Sequence, residues 1–92
     1  MIIRIMGEGQ YRVPEALCDE LNRIDNRIVT LVAEGKTREF RTEFMKLISD
    51  IKGKGEALGA EEFLESDIIV PPEDLSFEEA KSIFTGEGIF ED

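Results

Sequence analysis

Over the first thirteen residues, apolar side chains alternate imperfectly around Arg4 and Arg12. This predicts two short strands, Ile2 to Met6 and Gln10 to Val13, joined through the turn Gly7-Glu8-Gly9. The period then changes. Leu17, Leu21, Ile24, Ile28 and Leu31 recur at spacings of four and three, which puts them on one stripe of a helix over 14–34, with Pro14 as its first residue and Gly35 as its left-handed end. After a reversal too short for anything but a tight turn, with Thr37 as the N-cap, Phe40, Phe44, Leu47, Ile48 and Ile51 repeat the rhythm over 38–52. Gly53 and Gly55 are expected to end this second helix.

Beyond it the pattern thins. Residues 56–66 read as an acidic loop or a single helical turn, tacked down by Leu58, Phe63 and Leu64. Asp67-Ile68-Ile69-Val70 reads as a third strand over 67–70, stopped by Pro71-Pro72, neither of which can donate to a ladder. Ser76 followed by Glu79 has capping-box spacing and starts a short helix over 77–85. Gly86-Glu87-Gly88 closes it, and Ile89-Phe90 is expected to return to the core. The fold class is α+β in one domain, 1–92. An N-terminal β-hairpin and the third strand pack on an antiparallel helical hairpin, and the short C-terminal helix closes an edge.

Composition narrows the function. An apolar fraction of 41% is too high for a disordered chain, and no apolar run approaches a membrane span of roughly 20 residues. The opening Met-Ile-Ile-Arg-Ile-Met has no basic leader, so a cytoplasmic location is expected. The net charge of −10 is unevenly placed: residues 1–56 hold ten acidic and ten basic side chains, whereas 57–92 hold eleven acidic residues against Lys81 alone. Such a surface repels phosphate backbones and anionic headgroups and attracts a basic protein partner. Nucleic-acid binding and direct membrane insertion are therefore not expected.

The chemistry available for catalysis is thin. The chain has no histidine, so Ser-His-Asp and Cys-His arrangements cannot form, and a single cysteine, Cys18, supports neither a zinc site nor an internal disulfide. Burial as a small hydrophobe is the default for Cys18. Glu61, Glu62, Glu65 and Asp67 match no calcium-loop spacing, and the two Gly-Glu-Gly stretches lack the Gly-Lys-Ser/Thr of a phosphate loop. The expectation is a protein that is not an enzyme and needs no cofactor and no metal. Gly7, Glu8, Gly9, Asp67, Pro71 and Pro72 show more sequence specificity than packing demands. With the acidic Glu73, Asp74, Glu78 and Glu79 they form the candidate contact surface. Alternatives are a self-associating module, dimerising through a sheet edge or the first helix, and a carboxylate-based metal-binding regulator.

Three stretches together carry a resemblance: Ile3-Arg4-Ile5-Met6-Gly7-Glu8-Gly9-Gln10-Tyr11, Ile24-Asp25-Asn26-Arg27-Ile28-Val29, and Ser66-Asp67-Ile68-Ile69-Val70-Pro71-Pro72-Glu73-Asp74-Leu75. Through them nearly the whole chain resembles the PspA-associated domain family, small proteins linked to the coiled-coil phage shock protein A. The resemblance implies a non-enzymatic accessory that binds a phage shock protein A homologue, modulates its assembly or membrane-stress function, and is recruited to the inner face of the membrane through it. It brings no catalytic or ligand residues.

Overall fold

A computed structural model describes residues 1–59, 61–62, 64–86 and 88–90. Strands β1 (Ile2–Ile5) and β2 (Gly9–Arg12) form the predicted hairpin, with Ile3 opposite Tyr11 and Ile5 opposite Gly9. Gly7 and Gly9 both have positive φ, 84° and 117°, a backbone region closed to most side chains. Two glycines flank Glu8 for this reason.

Pro14 does not begin the first helix. Its ψ of 145° keeps it extended, and a 3-10 turn, Glu15–Leu17, leads into α1 (Cys18–Ala33). The buried stripe of α1 is Leu21, Ile24, Ile28 and Val32, and Leu31 is only half-buried. A period of 3.6 drifts away from a strict four-three rhythm, so by the last turn the residue facing the core is one further on. Gly35, at φ 72°, reverses the chain as expected. Thr37 is the first residue of α2 (Thr37–Lys54) rather than its cap. Lys36 holds the cap position and makes no side-chain bond there.

The helix also runs through Gly53, and Gly55 ends it. A Cβ on Gly55 would lie 2.5 Å from the Ile51 carbonyl and 3.3 Å from that of Arg12. The chain therefore leaves α2 in direct contact with β2, and the next two residues pair with it as β3 (Glu56–Ala57), where the sequence predicted only loop or helical turn. Phe63 lies outside the described residues; Leu58 is half-buried and Leu64 exposed.

The third predicted strand is β4 (Ile68–Val70), and it lies parallel to β1, Ile3 opposite Ile68 and Ile5 opposite Val70. The sheet order is β3-β2-β1-β4, so β1 is central and β4 is an edge. Ile3, Ile5, Val13 and Val70 turn inward to join Phe40, Phe44, Leu47, Ile48 and Ile51 of α2 in one core. Helix α3 (Phe77–Ile83) does not close a sheet edge. It packs on the helical pair, with Phe77 and Phe84 meeting the rings of Phe40 and Phe44 at centroid distances of 5.6–6.1 Å. Its aromatic content wins over the edge because these edge-to-face contacts and the buried Ala80 have matching partners only on the helices. Phe90 returns to the core as expected, while Glu87 of the closing turn lies outside the described residues.

Phe44 stacks on Phe40 at 5.6 Å and is fully buried at the point where both helices and α3 meet. Phe44→Ala is expected to cost about 3–5 kcal/mol of stability, read as a lower urea midpoint at an unchanged slope. In a chain this short that is a large share of the total.

Candidate partner interface

The parallel pairing of β4 on β1 brings two distant segments to one end of the sheet. The Met6 amide donates to the Val70 carbonyl at 3.0 Å, which sets the Gly7-Glu8-Gly9 turn beside Pro71, Pro72, Glu73 and Asp74. Lys52 of α2 joins them: its ammonium is hydrogen-bonded to the Glu8 carboxylate and lies 4.0 Å from that of Glu73. The Glu8 hydrogen bond, with Glu73 adding its charge, holds the Lys52 ammonium above the usual lysine range. Pro71 is buried and presents no surface, Pro72 is half-buried, and Glu73 and Asp74 are exposed.

The turn leading into α3 is held from beneath. The Arg41 guanidinium donates to the backbone carbonyl of Glu73 at 2.7 Å and to that of Leu75, and it lies over the rings of Phe40 and Phe44 at 5.4 and 5.9 Å. One planar side chain thus fixes two carbonyls of the acidic turn to the aromatic core. At the start of α3 the expected capping box is present. The Glu79 amide donates to Ser76 Oγ at 3.1 Å, and the Glu79 carboxylate accepts from the Ser76 amide at 3.1 Å. The Ser76 backbone bond, then its hydroxyl, keep the Glu79 carboxyl below the ordinary glutamate range. Glu79 is therefore engaged within the fold, while Glu78 projects outward beside Lys81 at 3.1 Å.

Asp67 sits at the other end of β4. Its amide donates to the Ile2 carbonyl at 2.8 Å, and its carboxylate accepts from the Ile2 amide at 2.8 Å. This reciprocal pair aligns β4 on β1. Among the described residues, no group of three or more His, Cys, Asp or Glu side chains comes together to hold a metal ion. Cys18 is half-buried with its Sγ 3.8 Å from Met1 Sδ.

Sequence reasoning passed over four side chains that tie distant segments together: Gln10, Asp25, Arg41 and Lys52. Gln10 is buried on the outer face of β2, where its amide nitrogen donates to the Leu64 carbonyl and to Ser66 Oγ at 2.8 Å and its oxygen accepts from the Leu64 amide. It thereby pins the acidic connection to the sheet. Asp25 is fully buried among the apolar residues of α1, and its two carboxylate oxygens accept from the amides of Ile89 at 3.1 Å and Phe90 at 2.8 Å. An acidic residue inside an apolar stripe was the legible signal for Asp25, since a carboxylate there requires donors. The other three carried no comparable mark.

Gly88 has φ 77°, and a Cβ on it would fall 2.5 Å from an Asp25 carboxylate oxygen. Asp25→Ala and Gly88→Ala are each expected to destabilise the fold by about 2–3 kcal/mol, with Asp25→Asn milder because one acceptor oxygen survives. Chemical denaturation of the single and double variants checks this. Both changes break the same contact, so the double variant should fall well short of the sum.

Because the folded pKa of Glu79 is lowered, its contribution to α3 is complete above the ordinary glutamate range and is lost as pH falls through the folded value. The Ser76 amide should therefore lose its protection first on acidification. In Ser76→Ala, which removes the hydroxyl cap at a cost of about 1 kcal/mol, part of that pH dependence should disappear from the NMR titration.

A mixed sheet backed by a helical pair, with an acidic turn clamped at one end, defines a small α+β domain. A family model described as PspA-Associated protein matches residues 1–92, and the chain belongs to that family. No curated protein and no solved structure matches it. No helix among the described residues is long and apolar enough to cross a membrane.

Proposed function

We propose that this chain is a non-enzymatic accessory protein that binds a phage shock protein A homologue and modulates its assembly or its action in membrane stress, acting at the inner face of the membrane through that partner. The observation that carries the reading is the family match over the whole chain. It is supported by the clustering of the Gly7–Gly9 turn with Glu73 and Asp74 at one end of the sheet, the last two drawn from the stretch 57–92 where acidic residues go unbalanced. Carboxylates held on a rigid turn meet a basic helical partner with little loss of side-chain freedom and speed the encounter.

Calorimetric titration with the homologue at low and moderate salt tests this. Binding that weakens as salt rises is expected. Charge reversal in Glu73→Lys/Asp74→Lys should weaken it about tenfold while leaving the far-UV spectrum unchanged. Glu79 is left out of that variant because it caps α3. Absence of heat and of co-elution at both salts overturns the proposal. Self-association seen by light scattering without the partner would put the self-associating module in its place.

A further inference from the structure

The second edge of the sheet ends in a strand that pairs on one side only. Strand β4 hydrogen-bonds to β1, and among the described residues no further strand lies beyond it. The Val70 carbonyl accepts from Met6, so alternation along the strand turns the N–H and C=O of Ile69 away from β1, toward the open side. Among the described residues, no backbone bond outside the sheet reaches Ile69.

The side chain of Ile69 is also unusual for such a place. At 56% exposure it is the most exposed large hydrophobic side chain among the described residues, and Met6, just past the end of β1, follows at 51%. Edges guarded against pairing carry lysine or an inward charge at such positions. Here an isoleucine stands beside free backbone groups, and Pro71 limits the strand to a short docking length.

Charge decides what can lie there. From Gly55 to Ala80 the chain has no Lys or Arg, and Glu65 and Asp67 precede the strand while Glu73 and Asp74 follow it. Arg4, opposite Ile69, lies one strand further in. A second copy pairing antiparallel about Ile69 would bring Glu65 of each chain toward Glu73 of the other, and like charges opposed across a sheet are destabilising. A strand with an apolar centre and Lys or Arg on both flanks meets opposite charge at each end.

We propose that the open side of β4 is a strand-addition site for an extended, basic segment of a partner protein, centred on Ile69. This deepens the accessory-binding reading, resting on it only for which protein supplies the segment.

Ile69→Pro provides the test. Proline removes an N–H that points away from β1 and suits an edge backbone, so the β1–β4 ladder should persist and the melting temperature should stay close to that of the parent. The probes are the phage shock protein A homologue and two short synthetic peptides, one alternating lysine with valine and isoleucine, the other with glutamate in place of lysine. The lysine peptide is expected to bind and to protect the Ile69 amide from hydrogen exchange, the glutamate peptide to bind far less, and Ile69→Pro to weaken lysine-peptide binding about tenfold or more. Ile69→Lys, which keeps the backbone donor but adds like charge to the segment, should weaken it as well.

No binding of the lysine peptide, or equal binding by Ile69→Pro, overturns the strand-addition site. Binding of the homologue without protection of Ile69 overturns it too, yet leaves the accessory function standing. Peptide binding without homologue binding supports the edge and removes the proposed partner. Concentration-dependent self-association that protects Ile69 assigns the edge to a second copy and overturns the basic-segment proposal.

Discussion

The C-terminal third of this chain carries a large acidic excess, relieved by Lys81 alone, and polar clasps join hydrophobic burial in docking it. Gln10 holds the connection at Leu64 and Ser66, Asp67 locks onto Ile2, Arg41 holds the carbonyls of Glu73 and Leu75, and Asp25 holds Ile89 and Phe90. Three of the four clasps originate in the N-terminal part and reach across. Each satisfies backbone groups that would otherwise compete for water, and a buried hydrogen bond to a charged group contributes more than a neutral one. Apolar burial by Val70, Leu75, Ala80, Phe84 and Phe90 completes the docking.

These clasps have a directional consequence for the surface. With the backbone of the turn tied inward, its two acidic side chains point outward: Glu73 and Asp74 are exposed and cannot collapse onto the core, because the carbonyls on either side of Asp74 are already fixed by Arg41. Negative charge is thereby displayed on a rigid turn instead of a floppy loop. The positive side chains remain in the half that does the holding, where Lys52, Lys54 and Arg27 pair with Glu8, Glu20 and Glu43.

Much of the fold was legible because it rests on local periodicity. The helical pair, the hairpin with its two glycines and the Ser76–Glu79 box follow from spacing within a few residues. What sequence did not disclose depends on long-range partners. Strand β3 is too short to show a pattern and exists because Gly55 brings the chain against β2. The parallel sense of β4 depends on the Asp67–Ile2 pair, and the seat of α3 depends on where its aromatic rings find company. Of the candidate contact residues, the two glycines, Glu8 and the segment from Pro71 to Asp74 come together at one end, while Asp67 and Glu79 serve the fold itself. No pattern along the chain separates an acid that caps from an acid that faces solvent.

The central position of β1 bears on how the molecule comes into being. Its partner on one side arrives after a short turn, but its partner on the other side lies 65 residues along the chain, beyond both long helices. During synthesis the hairpin and helical pair can form early, with one flank of β1 bare until the last third has emerged. The nascent protein therefore passes through an interval in which a strand destined for the interior of the sheet is an outer one, and any chaperone that shepherds it has that flank to shield.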